Sequence, residues 1–286
     1  MNLHKYSPVL LTLLVFLLAR ELGSVLLFVV ELLLKYGLDG LLSIPQRASE
    51  PGFSLLELMP VSHFSLIMLA ASILGVWCCH LLLHNLCFIS KDDFSSIRWR
   101  PGLWAVVGGV LGAMSLSILT EKIELPDAAL QISVAMSRDI FGLLMLVLVG
   151  PVVEELIFRE AIEGEMLRRG VRPWAAIGIS ALAFGLVHLN LAQGLYAFPV
   201  GILLGIIYYK SGNIILSSLL HIINNIIAAA QLHIMGEDIA GTTYADLFGS
   251  SFAAYTIMIL FAPLCMVLMK KFWDGYRPPE NQQAEP

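Results

Sequence analysis

Charge is scarce in this chain. Asp, Glu, Lys and Arg make up 14% of its 286 residues, where soluble domains carry about 25%. That shortage excludes a water-covered globular surface. With 58% hydrophobic residues and a mean hydropathy of +0.81, the composition is that of a polytopic membrane protein. No basic stripe or RNA-binding signature occurs, so nucleic acid is not a partner. The four cysteines, Cys78, Cys79, Cys87 and Cys265, contain no CxxC, which excludes a disulfide framework and a zinc ribbon. The apolar run after Lys5 is too long for a signal peptide and lacks a cleavage site, so it reads as a first membrane span. No GxSxG elbow is present. No internal repeat is visible, and the only biased segment is the polar tail at 278–286, expected to be disordered. The chain therefore reads as one all-α transmembrane domain over 1–286.

What is abundant is long apolar runs. A span needs about 20 mostly apolar residues, and eight candidates appear: Pro8–Leu34, His63–Leu83, Leu103–Leu119, Ile140–Glu163, Trp174–Leu189, Gly194–Tyr209, Ile214–Ile234 and Phe252–Met269. Arg20 and Glu21 interrupt the first. The fifth and sixth are short and closely spaced, which also allows a re-entrant pair. The 36–62 stretch, with its prolines, glycines and mixed charge, reads as a loop. Eight spans put both termini on one side. Eleven of the 17 Lys and Arg residues fall on that side, in the termini and the loops after spans two, four and six; Lys35, Arg47, Lys122 and Arg138 fall on the other. By the preference for positive charge inside, the termini are cytoplasmic.

Against that background Gly150–Arg169, GPVVEELIFREAIEGEMLRR, stands out. Glu154, Glu155 and Arg159 sit within a span, where an ionisable group costs at least about 2.5 kcal/mol unless paired or wetted. Glu155 and Arg159 are four residues apart on one helical face and form a pair. Glu154 is rotated about 100° from Glu155 and has no local cation, so it points at chemistry. The competing reading is that all three join a buried polar network between helices. Two further spans carry misplaced polar groups: AFGLVHLN gives Phe184 and His188, and SSLLHIINN gives His221 with Asn225 four residues on. Counted from the cytoplasmic ends at about 1.5 Å per residue, Glu154, His188 and His221 lie roughly 21, 22 and 14 Å deep. Three helices thus deliver Glu, His and His to one level within boundary error.

A carboxylate and an imidazole can share a water and deprotonate it for attack on a carbonyl. A second imidazole or an amide can stabilise the oxyanion. The same Glu154, His188 and His221 also form a hydrolytic zinc ligand set. A catalytically silent scaffold that binds a peptide or a membrane protein, and a proton-coupled transporter relaying through Glu154, are the non-peptidase alternatives. A transporter would favour inverted repeats, and none is seen.

Glu154-Glu155-x-x-x-Arg159, Phe184-x-x-x-His188 and His221-x-x-x-Asn225, in this order and on spans four, five and seven, resemble the three motifs of the CPBP intramembrane proteases. That family includes type II CAAX prenyl endopeptidases and bacteriocin-processing and self-immunity proteins. Ser211-Gly212-Asn213 resembles the turn that opens the third motif. The resemblance covers 150–227. It implies an eight-helix fold around a polar cavity, with Glu154 and His188 activating water. It implies oxyanion stabilisation by His221 and Asn225, and support from Glu155 and Arg159. The expected function is an intramembrane endopeptidase with its cavity open to the cytoplasm. Its expected home is a bacterial cell membrane, and its substrate a prenylated tail, a leader peptide or a membrane-protein segment. A self-immunity protein of the same fold is the alternative. No cofactor is expected; the alternative is a zinc ion on Glu154, His188 and His221.

Overall fold

A computed structural model describes residues 3–49, 53, 57–121, 123 and 129–276. The expected tail at 278–286 lies outside the described residues, as do Lys122 and Arg277. All regular structure among the described residues is helical. In chain order the helices are α1 (Ser7–Ala48), α2 (Val61–Leu83), α3 (Lys91–Ser95), α4 (Trp99–Thr120), α5 (Leu130–Ser137), α6 (Ile140–Arg168), α7 (Pro173–Leu186), α8 (Leu191–Ser211), α9 (Ile214–Met235), α10 (Tyr244–Leu247) and α11 (Ser251–Gly275).

Seven of these, α1, α2, α4, α6, α8, α9 and α11, are long and apolar enough to cross a membrane. The protein is an integral, multi-pass membrane protein. The expected fifth span is the exception. Helix α7 has 14 residues, about 21 Å at the helical rise, against a hydrocarbon core of about 30 Å. It packs antiparallel to α8: Gly201 lies against Ala181, Gly205 against Ile177, and Gly185 and Gly194 meet backbone to backbone. The first helix also departs from expectation. It is not interrupted at Arg20-Glu21, whose side chains pair at 3.6 Å. It continues through the first part of the expected 36–62 loop, broken only at Gly37, where φ is +70°. That conformation is open to glycine without the usual penalty, so the helix changes direction and resumes.

The small residues do what apolar helices require in lipid, where close backbone approach replaces the hydrophobic drive. Gly108 and Gly112 of α4 receive Leu268 and Cys265 of α11. Pairs of helix ends are tied together at one end of the bundle. Arg169 donates to His4 O and Ser7 Oγ, Arg168 to Asn85 O, Asn213 to Asp93 O and Ser96 Oγ, and the Arg98 backbone N–H to the Tyr276 hydroxyl. At the opposite end the Tyr244 backbone N–H donates to Glu121, and His233 binds Ser137 O. Two cavities occupy this second end of the bundle, one of 370 Å³ and one of 380 Å³.

The α7/α8 contact makes a paired prediction. A methyl group at Gly194 would stand 2.8 Å from the Gly185 carbonyl oxygen, a backbone atom that cannot swing aside, whereas a methyl at Gly178 meets nothing within 4 Å. Gly194→Ala should therefore lower the melting temperature in detergent. Gly178→Ala should leave it unchanged or raise it, since Ala is favoured over Gly in a helix by about 1 kcal/mol. The reverse order of melting temperatures would contradict this packing.

Candidate active site

The 370 Å³ cavity is lined by Glu154, Phe184, His188, His221 and Asn225, together with Tyr196 and Asn224. The expected site residues are thus brought to one place from α6, the end of α7 and α9. Each element delivers its residue for a local reason. Glu154 and Glu155 follow each other on α6, about 100° apart around it: Glu154 is one-third exposed in the cavity and Glu155 is fully buried. Helix α7 stops at Leu186, so His188 sits in the turn before α8. Leu189 adopts φ +50° there, an uncommon conformation for a side-chain-bearing residue, and Asn190 caps α8 by accepting from Ala192 N and Gln193 N. Before α9, Gly212 takes φ +62° to end α8, and Asn213 caps the next helix.

His221 stands between two carboxylates. Its Nδ1 is 3.1 Å from Glu155 Oε1, and its Nε2 is 3.5 Å from Glu154 Oε2. The Nδ1 contact is a hydrogen bond; the Glu154 contact is a charge pair formed when His221 carries both ring hydrogens. His188 is fixed differently. Its Nδ1 lies 2.8 Å from the Phe184 carbonyl oxygen, an acceptor, so Nδ1 carries the hydrogen and the neutral ring presents the Nε2 lone pair. Phe184 holds both rings edge to face, at 5.1 Å from His188 and 5.5 Å from His221, and lies 5.2 Å from Phe158 and from the Arg159 guanidinium.

Residues 136–227 match the family model of the Rce1-like type II CAAX prenyl endopeptidases. The match supports CPBP family membership. It takes in α6 to α9 up to Ile227, and with it every residue of the site, and it marks a family of CAAX-type intramembrane proteases. No curated protein and no solved structure matches the chain.

Within the matched region the buried side of the site is a chain of charges. Arg159 Nε is 3.3 Å from Glu155 Oε2, with both side chains fully buried. Arg159 also donates to Ser180 Oγ at 3.1 Å, and Ser180 passes its own hydrogen to Phe158 O. The sequence pointed to the Glu155–Arg159 pair. It did not reveal that Glu155 also binds His221, because that contact joins residues 66 positions apart. Glu163 was overlooked although its signal was present: it stands four residues after Arg159, as Glu155 stands four before. It is fully buried, neither of its oxygens has a hydrogen-bond partner, and the absence of a side chain at Gly205 leaves its carboxylate room.

Asn225 has a role that spacing did not suggest. Helix α6 is π-helical over Met145–Val149, and Gly150 N–H bonds back to Met145 O, five residues earlier. The same register would pair Leu146 O with residue 151, which is proline and has no N–H. Asn225 Nδ2 fills the vacancy, donating to Leu146 O at 3.0 Å. The second hydrogen of that amide is left for the cavity.

Among the described residues no three His, Cys, Asp or Glu side chains gather as a group able to hold a metal ion. No step below is routed through a metal. His80 and His84, four residues apart at the end of α2, are not part of the site: His80 binds Leu86 O, and His84 caps the helix at φ +53°.

Two outcomes follow. Arg159→Leu strands Glu155 beside an imidazole alone and should cost about 3–5 kcal/mol, read as lost accumulation and a lower melting temperature; a variant that accumulates and melts like wild type refutes the brace. Asn225→Ala should cost about 1–3 kcal/mol by exposing an unpaired carbonyl. In a Pro151→Ala background, where residue 151 supplies its own N–H, the cost of Asn225→Ala should shrink. Strict additivity in this double-mutant cycle would separate Pro151 from Asn225.

Proposed function

We propose that this protein is an intramembrane endopeptidase that hydrolyses a peptide bond with a water activated by Glu154 and His188. The observation that carries the reading is one cavity lined by Glu154, His188, His221 and Asn225 together, within the stretch that matches the endopeptidase family. Glu154 is the one of the two adjacent carboxylates with an exposed face, and the buried Arg159 is paired with Glu155 instead.

In the proposed step, water in the cavity gives a proton to the Glu154 carboxylate while its oxygen adds to the scissile carbonyl carbon. His188, with Nε2 unprotonated, orients this water by accepting a hydrogen bond from its other hydrogen. The carbonyl oxygen becomes an oxyanion. Hydrogen bonds from His221 Nε2–H and the free amide hydrogen of Asn225 stabilise it, and such donors are worth roughly 10²–10³ in rate each. The carbon–nitrogen bond then breaks, and the proton held on Glu154 passes to the departing amine. Glu155 and Arg159 touch neither water nor substrate. Glu155 holds His221 by Nδ1, which keeps Nε2 turned to the cavity, and Arg159 neutralises Glu155 in the apolar interior.

Glu154→Gln tests the assignment. Gln keeps the shape and cannot take a proton from water, so turnover should fall by about 10²–10⁴ with melting temperature and membrane insertion unchanged. Peptidomics on membranes carrying wild-type or Glu154→Gln protein at matched abundance reads this out. Peptides that appear equally in both sets, or residual activity above about a third of wild type, would remove Glu154 from the chemistry.

A further inference from the structure

The cavity has a sidedness that determines which substrates reach it. One end of the bundle gathers the cations. Lys5 donates to Gly170 O, and Arg169 reaches the start of α1; Lys210 lies over the ring of Trp273, which stacks on Trp174. Arg98 reaches Gly275 O, and Arg168 reaches Asn85 O. These contacts bring together the starts of α1, α4, α7 and α9 and the ends of α2, α6, α8 and α11. Membrane proteins keep Lys and Arg on the cytoplasmic side, so this end faces the cytoplasm.

The hollow is at the other end. The active-site cavity runs from Glu154 and His221 past His188 and Gln193 to Ser133, Met136 and Leu232. Ser133 and Met136 belong to α5, which precedes α6, and Leu232 stands one turn before the end of α9. The second cavity opens beside it among Glu121, Thr242, Tyr244 and Leu247. Among the described residues no Lys or Arg lines either cavity; the segment next to them carries Glu237, Asp238 and Asp246, with Arg138 set against Gly236.

Resting on the peptidase reading, we propose that the active site opens on the extracytoplasmic side, and that the substrate is a peptide segment of an exported or membrane protein presented at the outer face. This departs from the cytoplasmic opening suggested by sequence. Counting residues from the cytoplasmic helix ends gave the level of Glu154, His188 and His221 and carried no information about which side of that level is hollow. A cytosolic C-terminal tail would meet the packed, cation-bearing end.

Membrane-impermeant maleimide on intact cells tests the proposal without an activity assay, so its failure is distinguishable from failure of the peptidase reading. Cys79 and Cys265 are buried, and Cys87 is exposed at the cation-bearing end. In a Cys78→Ala chain, Cys87 should react only after permeabilisation. With Cys87→Ser added, Asp238→Cys and, separately, Gln193→Cys should react in intact cells. Asp238 is an exposed residue of the short 3-10 helix that follows α9 and reports the end of the bundle even if the cavity variant fails to fold. Labelling of Cys87 in intact cells, or labelling of Asp238→Cys and Gln193→Cys only after permeabilisation, overturns the proposal.

Discussion

An ionised carboxylate in hydrocarbon is several kcal/mol less stable than in water unless countercharge and hydrogen bonds replace the water it lost. Glu155 is the place where this protein meets that requirement, and the rest of the site is built around the solution. One oxygen faces Arg159 and the other faces His221. The guanidinium is in turn held by Ser180, which is tied to the backbone of α6, and is covered by the ring of Phe184. Because α6, α7 and α9 each contribute a member, neutralising a single charge also fixes the relative positions of three helices. The reactive face of the cavity is the exposed side of that arrangement.

Backbone polar groups obey the same rule. A carbonyl inside a spanning helix has no water to fall back on. Pro151 removes the N–H that the π-helical register would have offered to Leu146, and an amide from α9 takes its place. Asn225 therefore belongs to the folding of α6 as much as to the cavity. Asn213 ties the start of α9 to the segment around α3 in the same manner. Much of the polarity in this apolar chain is already assigned to helix ends and helix crossings before chemistry is considered.

That division explains what could be read from the sequence. Six of the expected spans recur as long helices because apolar length is recorded locally, residue by residue. The first does as well, but it runs on past its expected end, since a glycine can redirect a helix without ending it. The Glu155–Arg159 pair was legible because four residues is one helical turn. The contacts of His221, Asn225 and Ser180 were not, because they depend on which helices become neighbours, and local periodicity does not encode that. Glu163 lay within reach of the same turn-by-turn reasoning that paired Glu155 with Arg159. Helix α7 was counted as a span from its hydropathy; its 14 residues are fewer than the roughly 20 that a span needs, and its early end leaves His188 in the turn before α8.

Gln193, Tyr196, Asn224 and Ala228 line both cavities. Tyr196 and Asn224 are joined by a 2.7 Å hydrogen bond, and such a bond contributes about 1 kcal/mol net. The two chambers thus share a wall made of side chains of α8 and α9. The extent of the active-site chamber toward Tyr244 depends on residues that take no part in the proposed chemistry, so the shape offered to a substrate and the chemistry done on it are carried by different side chains.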